Sequence, residues 1–182
     1  FISATKRSCV AHWEPLYLPM KNATRKDETK NHDKILLVCH GNICSSPISE
    51  FVLKDKVARL GLSDQFYIAS AATSTEEIWN GIGNPVYPPS REELAKHGIS
   101  CEGKQAVQLK KSDYDAYDFL IGMDDQNIRY LERITGHSRR EGKIFLLLEF
   151  AGSSASIRDP WYTGRFDETY ADVERGCDGL LS

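Results

Sequence analysis

Four short apolar runs punctuate the chain from residue 34 onward: Lys34–Val38, Phe66–Ser70, Tyr117–Gly122 and Lys143–Leu148. The first and last are continuous rather than alternating, which predicts central strands of a parallel sheet covered on both faces. Helical patterns separate the runs. Pro47–Leu60 carries Ile48, Phe51, Val52, Val57 and Leu60, opens on a proline and stops at Gly61. Ser90–His97 stops at Gly98. Asp124 is placed to cap a helix carrying Ile128, Leu131 and Ile134, which closes at Gly136. A last helix is predicted from about Asp167 towards Leu181, with Tyr170, Val173, Cys177, Leu180 and Leu181 near one face. Strand and helix alternate, which predicts an α/β fold with a single doubly wound domain. Ligands bind such sheets at the C-terminal strand ends. Thr75–Pro89 and Ala151–Arg165 read as loops long enough to form functional rims.

Residues 1–33 look different. They mix basic, proline and polar positions without a period, and are expected to be a mostly disordered extension, with a basic docking arm as the alternative. The chain starts at Phe1, which suggests a fragment, a processed product or an over-extended reading frame; Met20 is an alternative start. With 182 residues, 41% of them hydrophobic, residues 34–182 suffice for one domain with a real core. A net charge of -3 leaves no nucleic-acid footprint. No apolar run approaches the ~18 residues of a membrane span. Five cysteines, at 9, 39, 44, 101 and 177, lack the paired short spacing of a zinc site. They are read as reduced thiols in a cytoplasm, with no metal and no cofactor expected. Cys101 and Cys177 are read as small apolar core residues.

The chemistry concentrates after the first strand, in Cys39-His40-Gly41-Asn42-Ile43-Cys44-Ser45-Ser46-Pro47. A buried strand, a tight loop opening on a cysteine and a helix starting near Pro47 form an anion-binding nest with a thiol at its base. Backbone N–H groups and a helix N-terminus favour a thiolate, the nucleophilic form of cysteine. Gly41 lets the loop backbone turn inwards. Asn42 suits strained loop geometry. Ser46 can cap the helix or donate to the thiolate. A second element is Arg158-Asp159-Pro160-Trp161-Tyr162, on the loop returning to the same sheet edge. There Asp159 is positioned to protonate a leaving oxygen, and Trp161 and Tyr162 to wall a slot for a flat ring.

Together these segments resemble the low-molecular-weight protein tyrosine phosphatases of bacterial type, whose signature is Cys, five residues, Arg, Ser, Pro. The resemblance continues through Ser70-Ala71-Ala72-Thr73-Ser74, Gly122-Met123-Asp124 with Asn127, Asp159-Pro160-Trp161-Tyr162 and Gly176-Cys177, covering about residues 34–182. It implies a four-stranded parallel sheet flanked by helices. It further implies that Cys39 becomes a phosphocysteine, that Asp159 is general acid and then base, and that Asn42 and Ser46 support the loop. Cys44 matches a second loop cysteine able to form a reversible disulfide with Cys39. Asp124 and Asn127 are assigned a helix-start role first. Relatives typically end a little beyond the Cys177 helix, so Ser182 is expected to be an early stop. The implied partners are phosphotyrosine proteins, small aryl phosphates and phosphate- or sulfate-like anions.

The resemblance also admits arginine phosphatases, which usually carry Thr where this chain has Ile43, and arsenate reductases, which need redox cysteines that Cys101 alone does not supply. Phosphotyrosine is the preferred substrate, with Trp161 and Tyr162 forming the slot; Trp79 is read either as a third slot residue or as a plain surface-loop or core aromatic. One residue departs from the signature: Ser45 stands where the arginine belongs. Arginine grips two phosphate oxygens with a planar fork, so turnover is expected to be strongly impaired. The alternative function is a catalytically dead phosphopeptide- or anion-binding module. Arg158, Arg91 and His40 are the candidate cations for rescue, Arg158 first.

Overall fold

The structure, a computed structural model, describes residues 32–182. Cys9, Met20 and the expected extension, apart from its last two residues, lie outside the described residues. Four parallel strands form the central sheet in the order β2-β1-β5-β6: β1 (Asp33–Cys39), β2 (Phe66–Ala72), β5 (Phe119–Gly122) and β6 (Ile144–Leu146). Between β2 and β5 a small antiparallel hairpin pairs β3 (Ile78–Trp79) with β4 (Ile82–Gly83). The helices are α1 (Ser45–Arg59), α2 (Pro88–Lys96), α3 (Asp113–Ala116), α4 (Asp125–Thr135), α5 (Pro160–Thr163) and α6 (Phe166–Leu181).

The unbroken apolar run of β1 follows from its interior position. Ile35 and Leu37 enter one core with Ile48, Val52 and Leu53 of α1 and Tyr170, Val173 and Cys177 of α6. Leu36 and Val38 point the other way, into a core with Ile128 and Leu131 of α4 and Tyr114 of α3. Period-two side chains therefore feed two apolar layers, and no polar face remains.

The run at Lys143–Leu148 has a different cause, and its expected central position is corrected. β6 is an edge strand of three residues, and the chain then tightens into a 3₁₀ turn at Leu147–Ala151. Leu147 and Leu148 stay apolar because they lie under α6 rather than in the sheet. Two glycines of α6 allow that approach. A Cβ on Gly179 would fall 2.2 Å from the Phe150 carbonyl oxygen, and one on Gly176 would fall 2.6 Å from Leu147 Cγ. Overpacking of this kind costs about 1–3 kcal/mol, against about 1 kcal/mol regained in helix propensity. Gly179→Ala is therefore expected to lower the unfolding free energy by up to about 2 kcal/mol, measured as a reduced urea midpoint.

Helix ends follow the sequence closely. Asp124 and Asn127 form a reciprocal capping box on α4, and Gly136 closes it in the left-handed conformation at φ 75°. The Thr75–Pro89 and Ala151–Arg165 segments are less loop-like than expected. The first contains the β3–β4 hairpin and the start of α2, and the second contains α5.

Candidate active site

Cys39 ends β1 and Ser45 begins α1, so residues 40–44 turn between the central strand and a helix of 15 residues. α1 has no side-chain cap, which leaves its first backbone N–H groups for the loop's own use. Cys39 is 6% exposed. Its Sγ accepts from the Asn42 N–H at 3.3 Å and lies 2.9 Å from Ser46 Oγ. Ser46 thus serves the thiol, not the helix end.

Asn42 is the keystone of the loop. It is fully buried and sits at φ 57°, a left-handed geometry that asparagine tolerates better than most residues. Its Nδ2 donates to Ser46 Oγ at 3.0 Å and to Ser70 Oγ at 2.8 Å, while its Oδ1 accepts from the Val107 N–H at 3.0 Å. Ser70 donates to Glu50, whose carboxylate also faces Lys104 Nζ at 3.2 Å and Lys54 Nζ at 2.6 Å. A satisfied polar chain therefore runs from the Cys39 thiol through Ser46, Asn42, Ser70 and Glu50 to two lysines. Networks of this kind rigidify a loop when every member is paired.

Above the loop a cavity of about 110 Å³ is lined by Cys39, His40, Gly41, Ile43, Cys44, Glu76, Glu77, Asp159, Trp161 and Tyr162. That volume holds several water-sized bodies, enough for a phosphoryl group. Asp159 caps α5 by accepting from the Trp161 N–H at 3.0 Å. Burial raises its carboxyl above the ordinary aspartate range; the Trp161 N–H opposes the shift, nearby Asp124 adds to it and His40 counters it. Burial pushes the Cys44 thiol up to about 12, with the charges of Cys39, Asp159 and Glu77 adding to the shift and Ser90 opposing it. Of the two thiols in the cavity, Cys44 is thus held protonated near neutral pH. Both are free thiols.

A thiol at the base of a strand–loop–helix nest, with a carboxyl of raised pKa across one cavity, is an arrangement for moving a phosphoryl group and a proton. The family model of the low molecular weight phosphotyrosine protein phosphatases matches residues 34–182. The chain belongs to this family. It is 37% identical over 150 residues to the low molecular weight protein-tyrosine-phosphatase YfkJ of Bacillus subtilis, covering 81% of this chain and 93% of that one. The crystal structure of YfkJ matches with a TM-score of 0.77 at 35% identity, covering 84% of this chain and 94% of that one. The mouse low molecular weight phosphotyrosine protein phosphatase is 36% identical over 151 residues, 81% of this chain and 92% of its own.

Within this phosphatase fold most of the expected site residues converge, and a few do not. Trp161 is 53% exposed and leans on Tyr87, with ring centroids 5.0 Å apart. Tyr162 stands beside it, 82% exposed. Trp79 does not join them: it lies on β3, 80% exposed, and is not among the residues lining the cavity. A two-residue strand holds it out on the hairpin. Arg158 turns to another cavity with Arg165 and Glu168, and Arg91 lines a third, below α2, with Cys101 and Lys104. Only His40 of the three candidate cations reaches the site, where its Nε2 meets Glu76 at 3.0 Å. Ser45 is buried on the first turn of α1. Among the described residues lining the cavity there is no lysine and no arginine.

Sequence reasoning missed Glu50, Lys104 and Tyr87. Tyr87 donates its N–H to the Ile43 carbonyl at 2.9 Å and supports Trp161, so it joins the loop to the aromatic wall. The one available signal for Glu50 was a carboxylate within a turn of Ser46 and Ser49 on the helix that follows the loop. Among the described residues no helix is long and apolar enough to cross a membrane.

Proposed function

We propose that this chain is a phosphotyrosine phosphatase working through a phosphocysteine, with turnover strongly reduced by Ser45. The supporting observation is the pairing of the Cys39 thiol, at the base of the loop, with the Asp159 carboxyl across the same small cavity. An aryl phosphate enters with its ring against Trp161 and Tyr162 and its phosphoryl oxygens towards the loop N–H groups. Cys39 Sγ attacks phosphorus, the bond from phosphorus to the aryl oxygen breaks, and Asp159 gives its proton to the leaving phenolate. Asp159, now a carboxylate, takes a proton from water as that water attacks phosphorus, and the S–P bond breaks to return the thiolate and release phosphate. Rapid denaturation during turnover, followed by mass spectrometry, should find phosphate on the Cys39 peptide; label elsewhere or nowhere rejects the mechanism.

Asp159 gives a second expected result. A general acid works only while protonated, so kcat/KM falls as pH rises through its pKa. The raised pKa places that fall above the range of an ordinary aspartate. Asp159→Asn should cost about 10²–10⁴-fold on phenyl phosphate, whose leaving group needs the proton, and far less on nitrophenyl phosphate. An equal loss on both substrates would remove Asp159 from the acid role.

The binding-module reading rests on the absence of any lysine or arginine from the cavity lining among the described residues. It predicts phosphotyrosine binding with no covalent intermediate. A cytoplasmic location is proposed from the free state of Cys39, Cys44, Cys101 and Cys177.

A further inference from the structure

Two chemically distinct pairs of side chains line the cavity. One is aromatic, made by Trp161 and Tyr162. The other is acidic, made by Glu76 and Glu77. The acidic wall is held in place. Asn84 Nδ2 donates to the Glu77 carboxylate at 2.8 Å, and the Asn84 N–H donates to the Glu77 carbonyl at 2.8 Å. Glu77 Cγ lies 3.1 Å from where a Cβ on Gly41 would sit, so the glutamate stem leans on the loop itself. The hairpin carrying this wall is pinned at Gly83, whose Cβ would fall 1.9 Å from the Ala106 carbonyl oxygen. Glu76, its side chain 71% exposed, meets His40 Nε2 with one carboxylate oxygen at 3.0 Å and leaves the other to solvent.

The charge balance is unusual for a site that takes a dianion. Among the described residues three carboxyl groups line the cavity, those of Glu76, Glu77 and Asp159, and the single candidate cation is His40. A phosphoryl group entering alone meets the like charge of Glu76 and Glu77. A positive side chain beside it on the substrate would lie over Glu76 and Glu77 and screen them from the phosphate.

We infer that the cleft selects phosphotyrosyl segments with a lysine or arginine adjacent to the phosphotyrosine, and that Glu76 and Glu77 read that charge. This rests on the phosphotyrosine reading given above. A rim charge pair alters affinity by about two- to fivefold. Two carboxylates that attract lysine and repel glutamate give a contrast of about tenfold between lysine- and glutamate-flanked peptides at low salt, shrinking as ionic strength rises.

The test is equilibrium binding by fluorescence anisotropy. Cys39→Ser protein is titrated with labelled phosphotyrosyl peptides carrying Lys, Gln or Glu on each side, and with their unphosphorylated forms. The expected order is Lys over Gln over Glu, with the Lys-to-Glu ratio falling to near one in a Glu76→Gln/Glu77→Gln variant. The single Glu76→Gln change, at an exposed side chain, should lower the ratio on its own if the double variant disturbs the hairpin. Equal binding of Lys and Glu peptides with phosphate dependence intact overturns this inference alone. A ratio that survives the removal of both carboxylates does the same. Phosphorylated and unphosphorylated peptides binding alike would reject the phosphotyrosine reading and this inference with it.

Discussion

Replacing Ser45 with arginine should raise kcat/KM for an aryl phosphate by about 10³–10⁵-fold. Position 45 is the sixth residue after Cys39 and opens α1 beside the loop. The serine is buried there, and among the described residues the cavity lining contains no lysine or arginine to take over. Charge on the phosphoryl oxygens is therefore left to the loop N–H groups, with His40, itself paired with Glu76, as the one candidate cation in the lining. One preorganised neutral donor is worth about 10²–10³ in rate, and a guanidinium adds bidentate contact and full charge. Arg158 and Arg91 line other cavities, so neither is placed to mask the gain. Steady-state kinetics on both chains decides the matter, and equal rates would refute the effect assigned to position 45.

Cys39→Ser should abolish turnover in the native chain and in the Ser45→Arg chain. A serine hydroxyl at this site has a far higher pKa than a thiol and finds no base: Ser46 and Asn42 contact the position, and neither takes a proton readily. Cys44 does not substitute, because burial holds its thiol at a pKa of about 12. Phosphotyrosine affinity should remain nearly intact, since the loop N–H groups are unchanged. The same variant separates the two functional readings. A catalyst loses its reaction and keeps its ligand, whereas a binding module has no reaction to lose. Turnover surviving the substitution would move the nucleophile elsewhere.

Much of this site was legible because its signals are local. Cys39, Gly41, Asn42, Ser46 and Pro47 lie within nine residues, and the strand and helix around them carry strong patterns. The capping box at Asp124 and Asn127 is equally local, a side chain reaching its own helix N-terminus. What stayed hidden depends on distant partners. Glu50 looks like one more polar helix position until Ser70 and Lys104 arrive from other elements. Residues 105–109, whose Val107 N–H holds Asn42, have no period of their own and are held by backbone bonds between Ala106 and Asn84 and between Val107, Leu109 and Ala72. The β3–β4 hairpin is too short to show alternation. The run ending at Leu148 misled for a plain reason: burial under a helix and burial in a sheet both demand apolar residues.

The polar chain from Cys39 to Glu50 never passes through the side chain at position 45. Loop shape and loop charge are thus under separate control, the first held by Ser46, Asn42, Ser70 and Glu50, the second open to a single substitution. Some serine and arginine codons differ by one base. The loss of turnover proposed for Ser45 is then one mutational step from the family's signature.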